Sequence, residues 1–182
     1  MNSRVVVLLL AFAAAGWGQE IKSLKALDAL ESKASERVNV TLDANLLQMA
    51  SKFLSQDEPD EVKVKKMVTK LRRVYVRGFE FDQENAYSKA DVEAIRNELK
   101  GPAWSRIVDV FSKKDGETAE VYLYRTNGQV TGLVVLAAAP KELTVVNIVG
   151  DIDLDDLTDL GGKFGIPEVE RKKPAAPPKK DD

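Results

Sequence analysis

The segment GDIDLDD at 150–156 has the most metal-like spacing of side chains in the sequence. Alternating carboxylates of this kind can wrap a calcium ion. The match to an EF-hand loop fails at two positions, because Asp156 stands where the turn needs glycine and Gly162 stands where the bidentate glutamate belongs. Acidic capping of a helix that begins after Asp153 explains the same residues without a metal. We therefore expect no metal site and no cofactor.

Few side chains are available for catalysis. The chain has no His and no Cys, which removes imidazole bases, thiolate nucleophiles, disulfides and most transition-metal sites. No Ser is followed by Lys three positions later, and Gly161-Gly162-Lys163 follows a predicted helix, whereas a phosphate-binding loop precedes one. The 29 acidic residues leave a carboxylate-dependent hydrolase open as an alternative. Because no spacing singles out a catalytic pair, we predict that the protein is not an enzyme.

The charge balance is nearly even, with 27 Lys and Arg against 29 Asp and Glu. A dedicated nucleic-acid protein normally carries a clear basic excess, so we expect no nucleic-acid partner. One predicted helix does present a basic face, formed by Lys63, Lys65, Lys66, Lys70 and Arg73. Such a face could meet anionic lipid headgroups, which makes a membrane-surface protein a second alternative, but a solvated helix face explains the same charges.

The first residues have the layout of a secretory signal peptide. Arg4 precedes an apolar run from Val5 to Ala15, and small residues follow. Cleavage after Ala15 and cleavage after Gly18 both fit, and the run is shorter than the roughly 20 residues of a membrane-spanning helix, which is the other interpretation. We expect a signal peptide over 1–18 and export to the periplasm or beyond.

The expected domain covers residues 20–166, and a disordered, Pro- and Lys-rich tail is expected over 167–182. Apolar residues spaced three apart predict a short first helix within 20–35, namely Ile21, Leu24, Leu27 and Leu30. Asp43 is expected to cap a second helix and Asp60 a third.

The best-marked helix begins at the capping box of Ser88 and Asp91 and stops at Gly101-Pro102. A last short helix is predicted from Asp153 to about Leu160. The strands of the predicted meander lie between these two helices in the sequence.

Strands are predicted over 74–81 and through an antiparallel meander from Trp104 to Val149, while 38–42 is a short strand or an extended link. Asp115-Gly116 and Asn127-Gly128 are expected to form two-residue type I′ turns. The sequence therefore predicts a single α+β domain, with N-terminal helices and a largely antiparallel sheet of about five strands.

The two turns set an expected register in which Val110 and Val134 both face Val121. One face of the sheet then holds Val108, Val110, Val121, Leu123 and Val134. The other face is a candidate interaction face formed by Ile107, Asp109, Phe111, Tyr122, Tyr124 and Leu133. Either the first two helices cover it, or it is left half exposed for a partner, a second copy or a lipid. A charge at Asp109 opposite Tyr122 would be costly to bury, which favours the docking surface.

Four stretches of the sequence carry a family resemblance, namely KASERVNVTLDANLLQMASKFL, VYVRGFEFD, WSRIVDVFSKKDGE and GLVVLAAAPKELTVVNIVGDIDLDDLTDLGGKFGIP. They resemble a bacterial family that is defined only as domain of unknown function 4252. The resemblance implies a small exported envelope protein of a Gram-negative bacterium, without an established activity or catalytic residues to carry over. Some members have a lipoprotein cysteine that this chain lacks, which favours a soluble periplasmic or secreted form. We expect a non-enzymatic interaction module whose partner is an envelope protein or a second copy.

Overall fold

One antiparallel sheet of six strands organises residues 21–153, which are the residues that the computed structural model describes. The strands are β1 Glu36–Asp43, β2 Leu71–Glu80, β3 Trp104–Ser112, β4 Glu117–Thr126, β5 Gln129–Ala139 and β6 Glu142–Gly150. Their order across the sheet is β1-β2-β6-β5-β4-β3, and every neighbouring pair is antiparallel. The predicted α+β class and meander are confirmed. The sixth strand is β1, because the segment predicted over 38–42 pairs with β2.

Residues 21–153 contain a 3-10 helix, Lys22–Leu30, and three α-helices, α1 Ala44–Ser51, α2 Pro59–Lys70 and α3 Lys89–Glu98. The predicted signal peptide over 1–18, the helix from Asp153 to Leu160 and the tail over 167–182 lie outside the described residues. Within the described part of the chain, no helix has the length and apolar character that crossing a membrane requires.

The spacing of three in the first helix matches the geometry that it adopts. A 3-10 helix has three residues per turn, so side chains three apart lie in one line along its surface. Ile21 and the three leucines that follow at this spacing are all buried. The carboxylate of Glu98, on α3, accepts hydrogen bonds of 2.7 Å from the backbone N–H groups of Lys22 and Ser23. The first turn is thereby fixed against α3.

Local capping explains where the α-helices begin. Asp43 caps α1 as predicted, since its Oδ1 accepts a 2.9 Å hydrogen bond from the N–H of Leu46. The capping box of α3 is also confirmed, with Ser88 and Asp91 bonding reciprocally. The prediction that Asp60 caps α2 is wrong, because Pro59 already occupies the first helical turn, where its fixed φ suits the position.

The sheet has a core on each face. On the first face, α3 and the 3-10 helix cover Phe79, Tyr122, Val134, Leu136, Leu143 and Val145. On the second face, α1 and α2 pack near a smaller cluster formed by Leu47, Leu71, Leu123, Leu133 and Ile152. Helices therefore lie on both sides of the sheet, and the larger core is under α3.

The hairpin between β4 and β5 turns at Asn127-Gly128, as predicted. Thr126 pairs with Gln129, and the φ angles of Asn127 and Gly128 are 52° and 81°. Both φ angles are positive, as a type I′ turn requires. The loop between β3 and β4 is longer than predicted, because Ser112 pairs with Glu117. The prediction of a two-residue turn at Asp115-Gly116 is therefore wrong.

The register of the meander differs from the predicted one for two reasons. The longer first loop sets Val110 opposite Ala119 and Val108 opposite Val121. In the second hairpin, an irregularity between Tyr124 and Arg125 moves the pairing by one residue, so Val121 faces Val135. Since a slip of one residue exchanges the two faces, it exchanges the predicted sides of β5.

We expect Gly128→Ala to lower the free energy of unfolding by about 1 to 2 kcal/mol, because an L side chain is strained at positive φ. A Cβ at Gly128 would meet nothing within 4 Å, so the cost is conformational rather than steric. Gly101→Ala is the matched control, since its Cβ would lie at an ordinary 3.7 Å from Trp104 Cδ1. Urea denaturation of both variants measures the difference. Equal stabilities would contradict the assigned turn.

Candidate interaction surface

A buried carboxylate lies on the face of the sheet that holds Tyr122 and Asp109. Glu120, on β4, has a side chain that is 3% exposed. Arg96 Nε, on α3, donates to Glu120 Oε1 over 2.9 Å, and Arg96 Nη2 bonds the same oxygen. The hydroxyl of Tyr122 donates to the other oxygen, Oε2, and Arg106 Nη1 lies 3.8 Å from it. One carboxylate thus joins α3, β4 and β3.

These contacts fix the protonation states. Burial by itself would raise the pKa of Glu120, but the hydrogen bonds from Arg96 and Tyr122 and the charges of Arg96 and Arg106 outweigh it and hold that pKa below its ordinary value. Burial and the bond to Glu120 raise the pKa of Tyr122 to about 12. Glu120 is therefore an anion at neutral pH and Tyr122 a neutral phenol. Neither group is suited to proton transfer there.

The hydrolase alternative requires two carboxylates that work together. Among the buried side chains of residues 21–153, Glu120 is the single carboxylate, and it is ion-paired. Of the acidic segment 150–156, the structure describes only the part from Gly150 to Asp153.

The six residues of the candidate interaction face are not all on one surface. Tyr122 is 7% exposed, because α3 and the Glu120 network cover it, so the prediction that it is half exposed is wrong. Leu133 pairs with Leu123 and lies on the opposite face, which corrects its assignment, and the physical reason is the one-residue slip described above. Tyr124 is half buried, with its ring 5.0 Å from that of Trp104 in an edge-on contact.

The exposed part of the predicted face is confined to β3. Ile107 is 51% exposed and Phe111 is 65% exposed. The side chain of Asp109 is 51% exposed and forms a 2.8 Å ion pair with Arg106 on the same strand. A bulge between Arg106 and Val108 makes this pair possible, because it brings residues three apart to one side of the strand.

Two further exposed residues of β3 belong to the other predicted face of the sheet. Val108 is 36% exposed and Val110 is 54% exposed. Both lie at the edge of the second face, beyond the reach of α1 and α2. The sequence signal for these exposed residues is the presence of apolar side chains on both sides of β3. A strand with one covered face normally alternates apolar and polar residues.

A row of six valines crosses the second face from edge to edge. Each strand contributes one, and the paired residues are, in order across the sheet, Val40, Val76, Val146, Val135, Val121 and Val108. We call this set the valine row. The neighbouring row contains smaller side chains and ends in Val38 on β1 and Val110 on β3, which are both 54% exposed. The two ends of this neighbouring row are therefore matched in side chain and exposure.

Four of the five residues of the predicted basic face lie on α2, but Arg73 lies on β2, so its assignment to that helix face is wrong. Lys63 and Lys66 are exposed there, while Asp60 and Glu61 occupy the first turn of the same helix. The helix thus carries both signs of charge.

We expect Glu120→Gln to lower the free energy of unfolding by about 2 to 3 kcal/mol, because it leaves the buried part of Arg96 without its main counter-charge. Glu93→Gln is the matched control. Glu93 also bonds Arg96, at 2.7 Å, but is 50% exposed, so its loss should cost less than about 0.5 kcal/mol. Chemical denaturation at neutral pH measures both variants. A cost for Glu120→Gln no larger than that for Glu93→Gln would contradict the role of the network.

The stability difference between the wild type and Glu120→Gln should depend on pH. Because the folded protein lowers the pKa of Glu120 from about 4.5, the charged group stabilises the fold above that value. This stabilisation is lost as the pH falls through the lowered pKa of the folded state. Melting temperatures measured from neutral pH into the acid range should therefore converge for the two proteins. A constant difference would show that Glu120 is not charged in the fold.

The comparison with known proteins gives a family without an assigned activity. No curated protein matches the chain. The model of a domain of unknown function, DUF4252, matches residues 31–160, which include all six strands and the three α-helices. Since the match covers well over half of the 182 residues, the chain belongs to the DUF4252 family.

Proposed function

We propose that the protein is an exported, non-enzymatic interaction module of the bacterial envelope, and that β3 is its binding surface. The observation that carries the proposal is the exposure of apolar side chains on both sides of this strand, with Ile107, Val110 and Phe111 each more than half exposed. Exposed apolar groups that adjoin one another mark binding surfaces more often than isolated ones do.

The position of β3 in the sheet supports this role. β3 is the last strand in the sheet order, and within residues 21–153 no strand pairs with its outer edge. Such an edge presents backbone N–H and C=O groups that an extended segment of another chain can bond. The backbone would supply affinity, and the side chains of the strand would supply specificity.

A rigid backing favours binding over chemistry. The Glu120 network fixes β4 to α3, and Arg106 connects β3 to the same carboxylate. A prearranged surface loses less conformational entropy when a partner binds. Glu120 and Tyr122, the titratable groups of this network with shifted pKa values, are held as an anion and a neutral phenol, which suits a scaffold.

Site-specific photocrosslinking in cells tests the proposal. A photoreactive amino acid at position 110 should give covalent adducts, because a bound partner would lie against that side chain. Position 38 is the matched control, since Val38 has the same type of side chain and the same 54% exposure at the other edge of the sheet. Adducts at 110 that are absent at 38 support the proposal, and equal labelling at the two positions contradicts it.

The same cells test export. The protein recovered from the envelope fraction should begin near Gly16 or Gln19, as expected for cleavage of a signal peptide. A soluble cytoplasmic protein that retains Met1 would contradict the exported part of the proposal.

A further inference from the structure

We infer that the partner bound by β3 is a second copy of this chain, joined by antiparallel pairing of the two β3 strands. The inference rests on the proposed function, because it names the occupant of the same edge. An antiparallel strand pair formed by two identical strands has two-fold symmetry, so one edge can serve both copies. The side chains of β3 then have to complement one another.

The charges of β3 set the register. The bulge places Arg106 and Asp109 on the same face of the strand, as their 2.8 Å ion pair demonstrates. If the two-fold axis passes between Ile107 and Val108, Arg106 of each copy lies opposite Asp109 of the other. Two pairs of opposite charge then lie across the axis, where pairs of like charge would oppose association.

The flanking residues agree with this register. Trp104 lies opposite Phe111 of the second copy, and Ser105 lies opposite Val110. Trp104 and Phe111 are on the same face, because their partners on β4 are Tyr124 and Thr118, which share a side of that strand. The exposed ring of Phe111 would gain an aromatic neighbour in Trp104 of the second copy. The ring of Trp104 already contacts that of Tyr124 within its own chain.

Neighbouring registers are less favourable. Moving the axis by one residue toward the N-terminus sets Trp104 opposite Asp109. Moving it by one residue toward the C-terminus sets Arg106 opposite Phe111. In both cases an aromatic ring meets a charge and the charge pairing is lost, so the register centred between Ile107 and Val108 is the best matched of the three.

A second interpretation is that the bulge and the charges of β3 prevent association between molecules. Bulges and charges on an edge strand can prevent pairing between molecules. On that interpretation the chain stays monomeric, and changing the sign of either charge has no effect on its oligomeric state. The two interpretations therefore differ in a measurable result.

A charge-exchange experiment decides between them. Analytical ultracentrifugation of the purified protein over a wide range of concentration should show a dimer. Arg106→Asp and Asp109→Arg should each weaken it about a hundredfold, because like charges then face each other twice. Mixing the two variants should restore the dimer, since one chain is then acidic and the other basic at both positions, and opposite charges again face each other. Lys25→Asp, at an exposed site on the 3-10 helix, is a control that should leave dimerisation unchanged.

Arg106→Asp also brings a second negative charge near Glu120, so its melting temperature is measured as a check on folding. Should it fail to fold, cysteine crosslinking tests the register without a change of charge, on a chain that has no natural Cys. A mixture of Ser105→Cys and Val110→Cys chains should form a disulfide between copies, and a mixture of Val38→Cys and Val110→Cys chains should not.

A wild-type protein that is monomeric at every concentration overturns the inference. So does a dimer that neither responds to the charge exchange nor crosslinks from 105 to 110. These outcomes are distinguishable from failure of the proposed function. Adducts at position 110 with another envelope protein, found together with a monomer in solution, would retain the binding surface and exclude the second copy as its partner.

Discussion

The buried carboxylate of Glu120 is the interaction through which the two sides of the larger core are joined. The carboxylate accepts hydrogen bonds from Arg96 on α3 and from Tyr122 on β4, and so fixes the helix to the sheet. The constraint extends further, because Glu98 on the same helix bonds the first N–H groups of the 3-10 helix. Removing the anchor would loosen α3 and, through α3, the first element of the described chain.

The two faces of the sheet consequently differ in how firmly they are covered. The first face is closed by elements that are tied to it by charged hydrogen bonds as well as by apolar packing. On the second face, α1 and α2 reach only one end of the strands. Val121 and Val135 of the valine row pack against the core there, and the rest of the row depends on the close fit of β-branched side chains between strands. β3 lies at the edge of the sheet, beyond the helices on either face, which is why its apolar side chains are exposed.

Features governed by a few neighbouring residues could be predicted from sequence. Asp43, Ser88 and Asn127-Gly128 act within one turn of chain, and each does what its local chemistry predicts. The placement of Leu133 could not be predicted, because the irregularity that shifts β5 depends on pairing with another strand. The burial of Glu120 could not be predicted either, because its partner Arg96 lies 24 residues away on a helix. Long-range pairing, rather than local propensity, decided which part of the candidate face is exposed.

The sheet order has a consequence for how the chain can fold. β6 is the last strand in the chain to be described, yet it lies between β2 and β5 at the centre of the sheet. Before β6 is available, β1 and β2 form one fragment and the meander of β3 to β5 another, with no described strand to join them. The domain therefore cannot close until the chain has been made to at least Gly150. A late-closing topology of this kind lengthens the time during which a newly made chain stays incompletely folded, with the edges of β2 and β5 that later receive β6 still unpaired.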